Sequence, residues 1–408
     1  MQIRQIRQIL KDTDYIHTSG TPEELRTAEY LKARCEEMGV PARLEAFPVA
    51  MANVRSASLE ADGQEIPCKG YKCCGSGQLE APLLYLPNTD PVSLAAVKGK
   101  IVLLDTGVGY FLYQDLLKNG AAGFITYDGN VRYQDRDIDH KELRSYVSEG
   151  KKILGVNINA KDAVRLVKNG VKRVKIAVDQ EEYDGESHNV IAEIPGDIQE
   201  WIVLTAHYDT TPLSHGSWDN MSGCIGLLEI MEALKDRPHH YGLRFIFCGS
   251  EERGLLGSKA YVKAHEAEKE SMALNINLDM IGSVMGKFIA RVSAEEGLVS
   301  FIRYFAAEQG FGIEVRQGVY SSDSTPFADA GVPALSFARL APGSQATIHN
   351  RYDTPEVLSP QRLRDDGIFL AAFAQRMADA ACCPVKQEIP EKVKKSLDEY
   401  LNRKRKED

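Results

Sequence analysis

Acidic and imidazole side chains recur at the ends of apolar segments in the second half of the chain. The set consists of His207, Asp209, Asp219, Glu251, Glu252, Asp279 and His349. Carboxylates and imidazoles are the side chains with which proteins bind divalent metal ions and transfer protons. If these residues meet in the folded chain, the expected chemistry is metal-assisted attack of water on a carbonyl group.

The apolar segments that precede these residues are short and rich in branched and aromatic side chains. They are "HNVIAEIPG", "WIVLTAHYD", "GLRFIFCGSEE", "MALNINLDMIG" and "VPALSFARL", and helical stretches separate most of them. This alternation predicts an α/β fold with a mostly parallel or mixed sheet sandwiched by helices. Such sheets bind ligands outside the carboxyl ends of their strands, so we expect the whole set at one rim of the sheet.

Each of these residues, taken singly, has an ordinary structural explanation. A single Asp after a strand is most often a turn residue or a helix cap. The adjacent Glu251 and Glu252 would ordinarily be a solvated pair, and a lone loop histidine is usually a surface residue. Five carboxylates at one rim, however, would repel one another unless cations neutralise them.

The residue types also indicate which cation to expect. Two imidazoles with Asp and Glu, and no well-placed cysteine, fit zinc better than calcium or magnesium, which prefer oxygen ligands. There are more carboxylates than one tetrahedral zinc needs, which predicts two Zn²⁺ ions with one Asp between them. Other divalent transition metals remain an alternative. A carboxylate close to the shared water, but not bound to metal, would accept its proton.

Length and composition set the broad class. The chain has 408 residues, of which 43% are hydrophobic and 26% charged, and this predicts a soluble protein of more than one domain. The net charge of -9 argues against general nucleic-acid binding. No apolar run approaches the roughly 20 residues of a membrane span, so no membrane insertion is expected.

The N-terminus and the cysteines bear on the compartment. The segment "MQIRQIRQIL" has the spacing of an amphipathic helix rather than the apolar core of a signal peptide. The eight cysteines lack zinc-finger spacing, and the adjacent pairs Cys73-Cys74 and Cys382-Cys383 are awkward to bridge internally. These features predict a reducing compartment, so the expected localisation is cytoplasmic.

Five ordered segments resemble the successive motifs of the M28 family of di-zinc metallopeptidases. They are "AHYDT", "WDNMSG", "SEERGLLGSKAY", "NLDMIG" and "IHNRYDT". The resemblance runs from residue 187 to about residue 380, and it includes the N-terminal "SGTPEELRTAEYLKARCEEMG". It implies a zinc-dependent exopeptidase of phosphorylase/hydrolase-like fold that acts on peptides, with an aminopeptidase favoured.

The family resemblance also implies roles for individual residues. One zinc would be bound by His207 and Asp279, the other by Glu252 and His349, and both by Asp219. Glu251 would be the general base. Asp209 would orient His207, and the peptide bond between Asp219 and Asn220 would be cis, as family members tend to have it.

The middle section, residues 46–185, resembles a protease-associated (PA) domain inserted into the peptidase. The resemblance rests on "VKGKIVLLDTGVGYFLYQDLLKNGAAGFITYD", and another small α/β insertion is the alternative. The peptidase domain would then be discontinuous, comprising residues 1–45 and 186–385. Residues 386–408 would form a charged helical tail, whose apolar stripe would dock on the body of the protein or on a second subunit of a homo-oligomer.

The substrate side departs from the family at Ile348, where several members have a tyrosine that stabilises the oxyanion. Tyr208, Tyr320 and Arg339 are the alternative donors. The segment "SSDSTPFADAGVPAL" matches a family segment that walls the substrate pocket. It suggests three specificity residues, namely Ser322, Asp323 and Phe327. Asp323 could instead cap the following helix.

Two functional alternatives to an aminopeptidase remain open from the sequence. A carboxypeptidase or dipeptidase of the same family would need a cationic pocket for a terminal carboxylate, and the motif loops contain only Arg253, Arg339 and Arg351. A receptor-like or scaffolding relative would keep the fold and lose the metals. The intact set of candidate ligands argues against this second alternative.

Overall fold

The structure is a computed structural model, and it describes residues 1–129, 138, 141–144, 146–148 and 150–404. The helices within this part of the chain are α1 (Ile3–Asp12), α2 (Pro22–Glu37), α3 (Pro91–Leu94), α4 (Tyr110–Lys118), α5 (Ala160–Lys168), α6 (Ser222–Leu234), α7 (Leu256–Ala264), α8 (Glu296–Glu308), α9 (Ser324–Asp329), α10 (Pro360–Ala378) and α11 (Glu391–Tyr400). The strands are β1 (Ala42–Ala61), β2 (Gln64–Ile66), β3 (Cys68–Gly70), β4 (Gly77–Leu86), β5 (Ile101–Leu104), β6 (Gly123–Asp128), β7 (Leu154–Asn159), β8 (Arg173–Ile194), β9 (Trp201–His207), β10 (Gly242–Cys248), β11 (Met272–Leu278), β12 (Lys287–Ser293), β13 (Glu314–Gln317) and β14 (Ala334–Leu340).

The chain divides into two compact units. The first comprises Met1–Val49 and Glu186–Asp408, and the second comprises Ala50–Gly185. These limits lie close to the domain boundaries expected from the sequence. The assignment of the second unit to the PA domains stays a prediction, and the final residues of the expected tail, 405–408, lie outside the described part of the chain.

The first unit is built on a mixed sheet with the strand order β13-β12-β14-β11-β9-β10-β8. Its central strands β14, β11, β9 and β10 are parallel to one another, whereas β12 and β8 run antiparallel to their neighbours β14 and β10. The carboxyl ends of the four parallel strands therefore meet at one edge. This architecture confirms the predicted α/β sheet.

Alternate residues of the central strands face two separate hydrophobic clusters. In β9, Leu204 belongs to the larger cluster with helices α6 and α10, and Val203 belongs to the smaller cluster with α9 and α11. All seven residues of β10 and all seven of β11 are buried. Burial on both faces explains why these strands are continuous apolar runs rather than alternating ones.

The terminal helices pack on this unit. Ile6, Ile9 and Leu10 of α1 are buried in the larger cluster. Val393 and Leu397 of α11 are buried in the smaller cluster. The apolar stripe of the C-terminal segment thus docks on the body of the protein, which was one of its two expected partners.

The second unit has its own sheet and core. Strands β4, β5, β6 and β7 are parallel neighbours, β3 pairs antiparallel with β7, and residues 173–178 of β8 pair antiparallel with β4. Its hydrophobic cluster includes Leu103, Phe124 and Val156. None of the helices described in either unit is long and apolar enough to cross a membrane.

Candidate metal centre

Three of the parallel strands deliver their polar residues to the same edge. His207 is the last residue of β9, Asp279 directly follows β11, and Glu251 follows β10 after a short turn. Ser250 in that turn has a positive φ of 57°, and His349, in the loop after β14, has a φ of 60°. Non-glycine residues rarely adopt this region, and such conformations are concentrated at functional sites.

The carboxylate of Asp219 lies between the two imidazoles. Its Oδ1 is 3.1 Å from Nε2 of His207, and its Oδ2 is 3.1 Å from Nε2 of His349. The Asp219-Asn220 peptide bond is cis, as expected from the family resemblance. Each oxygen of one carboxylate therefore faces a different histidine.

Two sets of three side chains are arranged around Asp219, and we call them the first and the second triad. The first triad is His207, Asp219 and Asp279, and the second is Asp219, Glu252 and His349. Within each triad the ligand atoms lie within 4.8 Å of one another. All these residues are buried except Glu252, which is partly buried, and His349, whose side chain is 52% exposed.

The surroundings of His207 and Asp279 raise the pKa values of both side chains, which favours their protonated forms. Burial disfavours a charged His207, but Glu251, Asp209 and Asp219 outweigh it and raise the pKa of the ring well above its usual range. Burial, together with Asp219, raises the pKa of the Asp279 carboxyl to about 7. Bound cations would supply the same compensation as these protons.

The donor set fits zinc. Each triad offers one imidazole and two carboxylates, which suits a borderline divalent ion better than an all-oxygen shell suits calcium. In addition, Oδ1 of Asp279 is buried and accepts no hydrogen bond from the described residues. A buried carboxylate oxygen that faces such a cluster and accepts no hydrogen bond is expected of a metal ligand.

Glu251 lies beside the triads and belongs to neither. Its Oε2 is 4.0 Å from Nε2 of His207, and the side chain is 10% exposed. Burial raises its pKa well above the usual range, and the neighbouring Glu252 and Asp323 add to the effect, whereas His207 opposes it. The carboxyl is thus close to the cluster and has a raised affinity for a proton.

The carboxylate of Asp209 hydrogen-bonds the backbone of Glu251 and Glu252, and it lies farther from the ring of His207. Its Oδ1 accepts the backbone N–H of Glu251 at 2.8 Å, and its Oδ2 accepts that of Glu252 at 3.2 Å. Nδ1 of His207 is 3.2 Å from the backbone carbonyl of Asp209 but 3.6 Å from its carboxylate. The carbonyl of Asp209 is thus the closer acceptor, and the role of its carboxylate in orienting His207 stays a prediction.

Sequence reasoning missed two residues that support the shared carboxylate. Asp353 is fully buried and accepts the backbone N–H groups of Trp218 at 2.7 Å and Asp219 at 3.1 Å. The side chain of Asn220 donates to the carbonyl of Leu278 at 2.9 Å and so ties this turn to the end of β11. Both lie inside the quoted motifs "IHNRYDT" and "WDNMSG", but only their partners in space reveal what they do.

Of the three alternative oxyanion donors, the structure leaves one available. The hydroxyl of Tyr208 donates to the carbonyl of His188 at 2.7 Å. The guanidinium of Arg339 is held by the buried Asp366, with Nε 2.8 Å from Oδ2. Both groups are thus engaged elsewhere in this structure, and their role as oxyanion donors stays an untested prediction.

Tyr320 differs from them. Its hydroxyl is buried and has no hydrogen-bond partner among the described residues. Burial raises its pKa well above the usual range, and Asp279, Asp219 and Glu251 add to this. The phenol therefore lies near the triads and stays protonated at neutral pH.

The three expected specificity residues lie beneath the site rather than at its surface. Ser322 is buried, and its hydroxyl oxygen accepts the side-chain N–H of Asn277 at 2.9 Å. Asp323 is buried, and its Oδ1 accepts the hydroxyl of Ser258 at 2.5 Å, while its side chain makes no capping bond to α9. Phe327 is fully buried in the smaller hydrophobic cluster. All three side chains are buried in this structure, and their role in specificity stays a prediction. Asp323 is the N-cap residue of α9 by position, although its side chain makes no capping bond.

Comparison with known proteins assigns the chain to a family. Residues 189–374 match Peptidase family M28. Aminopeptidase YwaD of Bacillus subtilis (strain 168) is 30% identical over 321 residues, which cover 74% of this chain and 66% of the relative. The probable leucine aminopeptidase 2 of Aspergillus fumigatus is 28% identical, with 55% of this chain and 46% of the relative covered.

A solved structure extends the similarity to nearly the whole fold. The structure of BSAP, described as a zinc aminopeptidase from Bacillus subtilis, superposes with a TM-score of 0.76 and 26% identity, covering 95% of this chain and 98% of that one. The alignments to the curated relatives are shorter and span 66% and 46% of the first two. The sequence match, the common fold and the two triads agree: this chain belongs to peptidase family M28.

Proposed function

We propose that this chain is a zinc-dependent exopeptidase, most specifically an aminopeptidase that removes N-terminal residues from peptides. The observation that carries the proposal is the carboxylate of Asp219, which faces His207 with one oxygen and His349 with the other. His207 and Asp279 would hold one ion, Glu252 and His349 the other, and Asp219 both. When bound, two such ions lower the pKa of a shared water and polarise the carbonyl under attack.

The remaining residues of the site would handle protons and charge. Glu251, which is in neither triad, accepts the proton of the attacking water and passes it to the leaving amine. Asp209 fixes Glu251 and Glu252 through their backbone N–H groups. Tyr320 offers the free hydroxyl that would donate to the oxyanion, which is the role left open by Ile348.

The choice of an aminopeptidase rests on charge and on the relatives. The rim of the sheet carries an excess of carboxylates, which suits the α-ammonium group of a peptide better than its terminal carboxylate. Arg339, which the structure places in strand β14, is bound to Asp366. Both curated relatives and the solved structure named above are aminopeptidases by description. A carboxypeptidase or dipeptidase remains the alternative within the family.

The cysteines support a proposal for the compartment. All eight are free thiols, and among them Cys35, Cys224 and Cys248 are buried. A chain without disulfides is typical of a reducing environment, and we therefore propose the cytosol as its site of action.

The decisive experiment compares Glu251→Gln with Glu252→Gln. Glu251→Gln should keep the fold and the zinc content but lower kcat by about 100-fold or more, because only the proton carrier is lost. Glu252→Gln should lose zinc from the second triad. Substrates are an aminoacyl p-nitroanilide and an N-blocked peptide with a free C-terminal carboxylate, and only the former should be cleaved.

Three results would contradict parts of this proposal. Full activity of Glu251→Gln would remove the assigned base. Cleavage of the N-blocked substrate alone would favour the carboxypeptidase alternative. Purified protein that neither binds zinc nor loses activity with a chelator would leave the scaffolding alternative.

A further inference from the structure

Glu24, in the first turn of α2, has its carboxylate next to the turn that precedes Glu251. Thr21 and Glu24 have the spacing of a capping box, and Oγ1 of Thr21 does accept the backbone N–H of Glu24 at 3.2 Å. The carboxylate of Glu24 does not complete that box. Its Oε2 accepts the N–H of Gly20 at 2.6 Å, and its Oε1 accepts the hydroxyl of Ser187 at 2.8 Å.

The same Oε1 also binds Ser250. It lies 3.2 Å from the backbone N of Ser250 and 3.4 Å from its Oγ. Glu24 itself is only 1% exposed. A carboxylate so deeply buried is retained where its hydrogen bonds hold other groups in place, since its burial alone is unfavourable.

Three consecutive backbone N–H groups in this segment are hydrogen-bonded by carboxylates. The N–H of Ser250 is bound by Glu24, and the N–H groups of Glu251 and Glu252 are bound by the two oxygens of Asp209. Ser250 is the residue with the positive φ of 57°, so the chain changes direction at the point where Glu24 binds it. Two buried carboxylates therefore fix the backbone from which both site glutamates project.

The rest of the N-terminal segment reinforces this arrangement. The hydroxyls of Ser19 and Ser250 are hydrogen-bonded to each other. The backbone N–H of Thr210, next to Asp209, donates to the carbonyl of His17 at 3.2 Å, and the N–H of His17 donates to Oγ1 of Thr210 at 3.1 Å. Residues 17–24 thus contact both the turn at Ser250 and the residue next to Asp209.

We propose that Glu24 is a positioning residue for Glu251 and Glu252. It contacts neither glutamate, and it acts through Ser250 by fixing the turn that sets the direction of both side chains. The inference rests on the proposed function, in which Glu251 moves the proton and Glu252 holds a metal ion. A displacement of the reacting groups by about 1 Å can reduce turnover by about 100-fold.

The chemistry of the contacts selects the variants. All the partners described for the side-chain carboxylate of Glu24 donate hydrogen bonds to it. We therefore expect this side chain to act by accepting these hydrogen bonds at the right distance. Glu24→Gln keeps an acceptor oxygen at the position of Oε1 and loses the bond to Gly20. Glu24→Asp keeps a carboxyl group but withdraws it by about 1.5 Å, one carbon–carbon bond length, from Ser250.

The experiment measures kcat, KM, zinc affinity and thermal midpoint for these two variants. We expect Glu24→Asp to lower kcat at least about 10-fold with KM within about 2-fold, and to weaken the more weakly bound zinc by about 10-fold. Glu24→Gln should stay within about 3-fold of the parent in both properties, as rescue by the conservative variant requires. Glu23→Asp, in the same turn but exposed, is the matched control and should change nothing.

Ser250→Gly tests the same contact from the other side. Glycine accepts the positive φ without strain, so the fold is retained while the hydroxyl bonds to Glu24 and Ser19 are lost. It should reproduce the fall in kcat, by about 3-fold or more, at unchanged KM.

Two results would overturn the proposal. The first is that Glu24→Asp keeps the kcat and the zinc affinity of the parent. If Glu24→Asp does not fold, the same result in Ser250→Gly would overturn the proposal. The other is greater damage in Glu24→Gln than in Glu24→Asp, which would indicate that the carboxyl group itself matters rather than its position. If the parent protein cleaves no peptide, the proposed function fails by itself, and the zinc affinities still decide on Glu24.

Discussion

Replacing Asp353 by Asn should weaken the metal centre without removing any of its ligands. Asp353 accepts two backbone N–H groups, from Trp218 at 2.7 Å and from Asp219 at 3.1 Å. Asparagine supplies one acceptor oxygen and one N–H donor, so one of the two backbone groups would face another donor. A lost hydrogen bond to a buried charged acceptor costs about 2 kcal/mol, and a buried unsatisfied N–H costs a similar amount.

The size of the effect follows from these two terms. We expect Asp353→Asn to lower the free energy of unfolding by about 2 kcal/mol or more, which corresponds to a fall of about 4–8 °C in Tm for a unit of this size. Because Asp219 serves both triads, its displacement should weaken zinc binding by about 10- to 100-fold.

The assay is a zinc titration against a chromophoric chelator, with Tm measured with and without the metal. Asp236→Asn is the control, since the side chain of Asp236 is 87% exposed. Parental zinc affinity in Asp353→Asn would refute the reasoning, since Asp353 would then not be holding Asp219 in place.

Two further predictions concern a hydroxyl and a buried carboxyl. Tyr320→Phe removes only the unpartnered hydroxyl, so kcat should fall by about 100-fold with KM little changed, and an unchanged kcat would place the oxyanion donor elsewhere. Burial raises the pKa of Glu229, which lies 3.6 Å from Arg364, from 4.5 to about 7. The folded state thus binds this proton more tightly than the unfolded state, so the stability from this group is complete below pH 4.5 and is lost as the pH rises through 7. Glu229→Gln cannot ionise, and urea unfolding should show the parent losing about 2 kcal/mol relative to it between about pH 5 and about pH 8, whereas parallel profiles would contradict the assignment.

The sheet and the two triads were within reach of the sequence for a physical reason. Strands buried on both faces are continuous apolar runs, and the residues that follow parallel strands must meet at one edge. His207 ends such a run, Asp279 follows one directly and Glu251 follows one after a short turn, so their convergence could be expected from the sequence. Asp219 and His349 lie in loops whose course the sequence pattern does not determine, and the family resemblance supplied their roles as ligands.

The surroundings of the triads could not be predicted in the same way. Asp366, which engages Arg339, follows it by 27 positions, and Ser250, which binds Glu24, follows it by 226. Phe327 lies in a segment that matches a pocket wall, yet its ring is in the core. Hydrogen-bond partners and the direction of a side chain depend on tertiary packing, and no local pattern encodes them.

The split carboxylate of Asp219 has a thermodynamic consequence. Because a single residue contributes an oxygen to each triad, the occupancy of one ion site cannot be independent of the other. By linkage, if binding of the first ion changes the affinity for the second by some factor, binding of the second changes the affinity for the first by the same factor. With these residues as the ligands, loading of the centre would be a coupled, two-step equilibrium, and the half-filled protein would be a distinct species whose abundance depends on the free metal concentration.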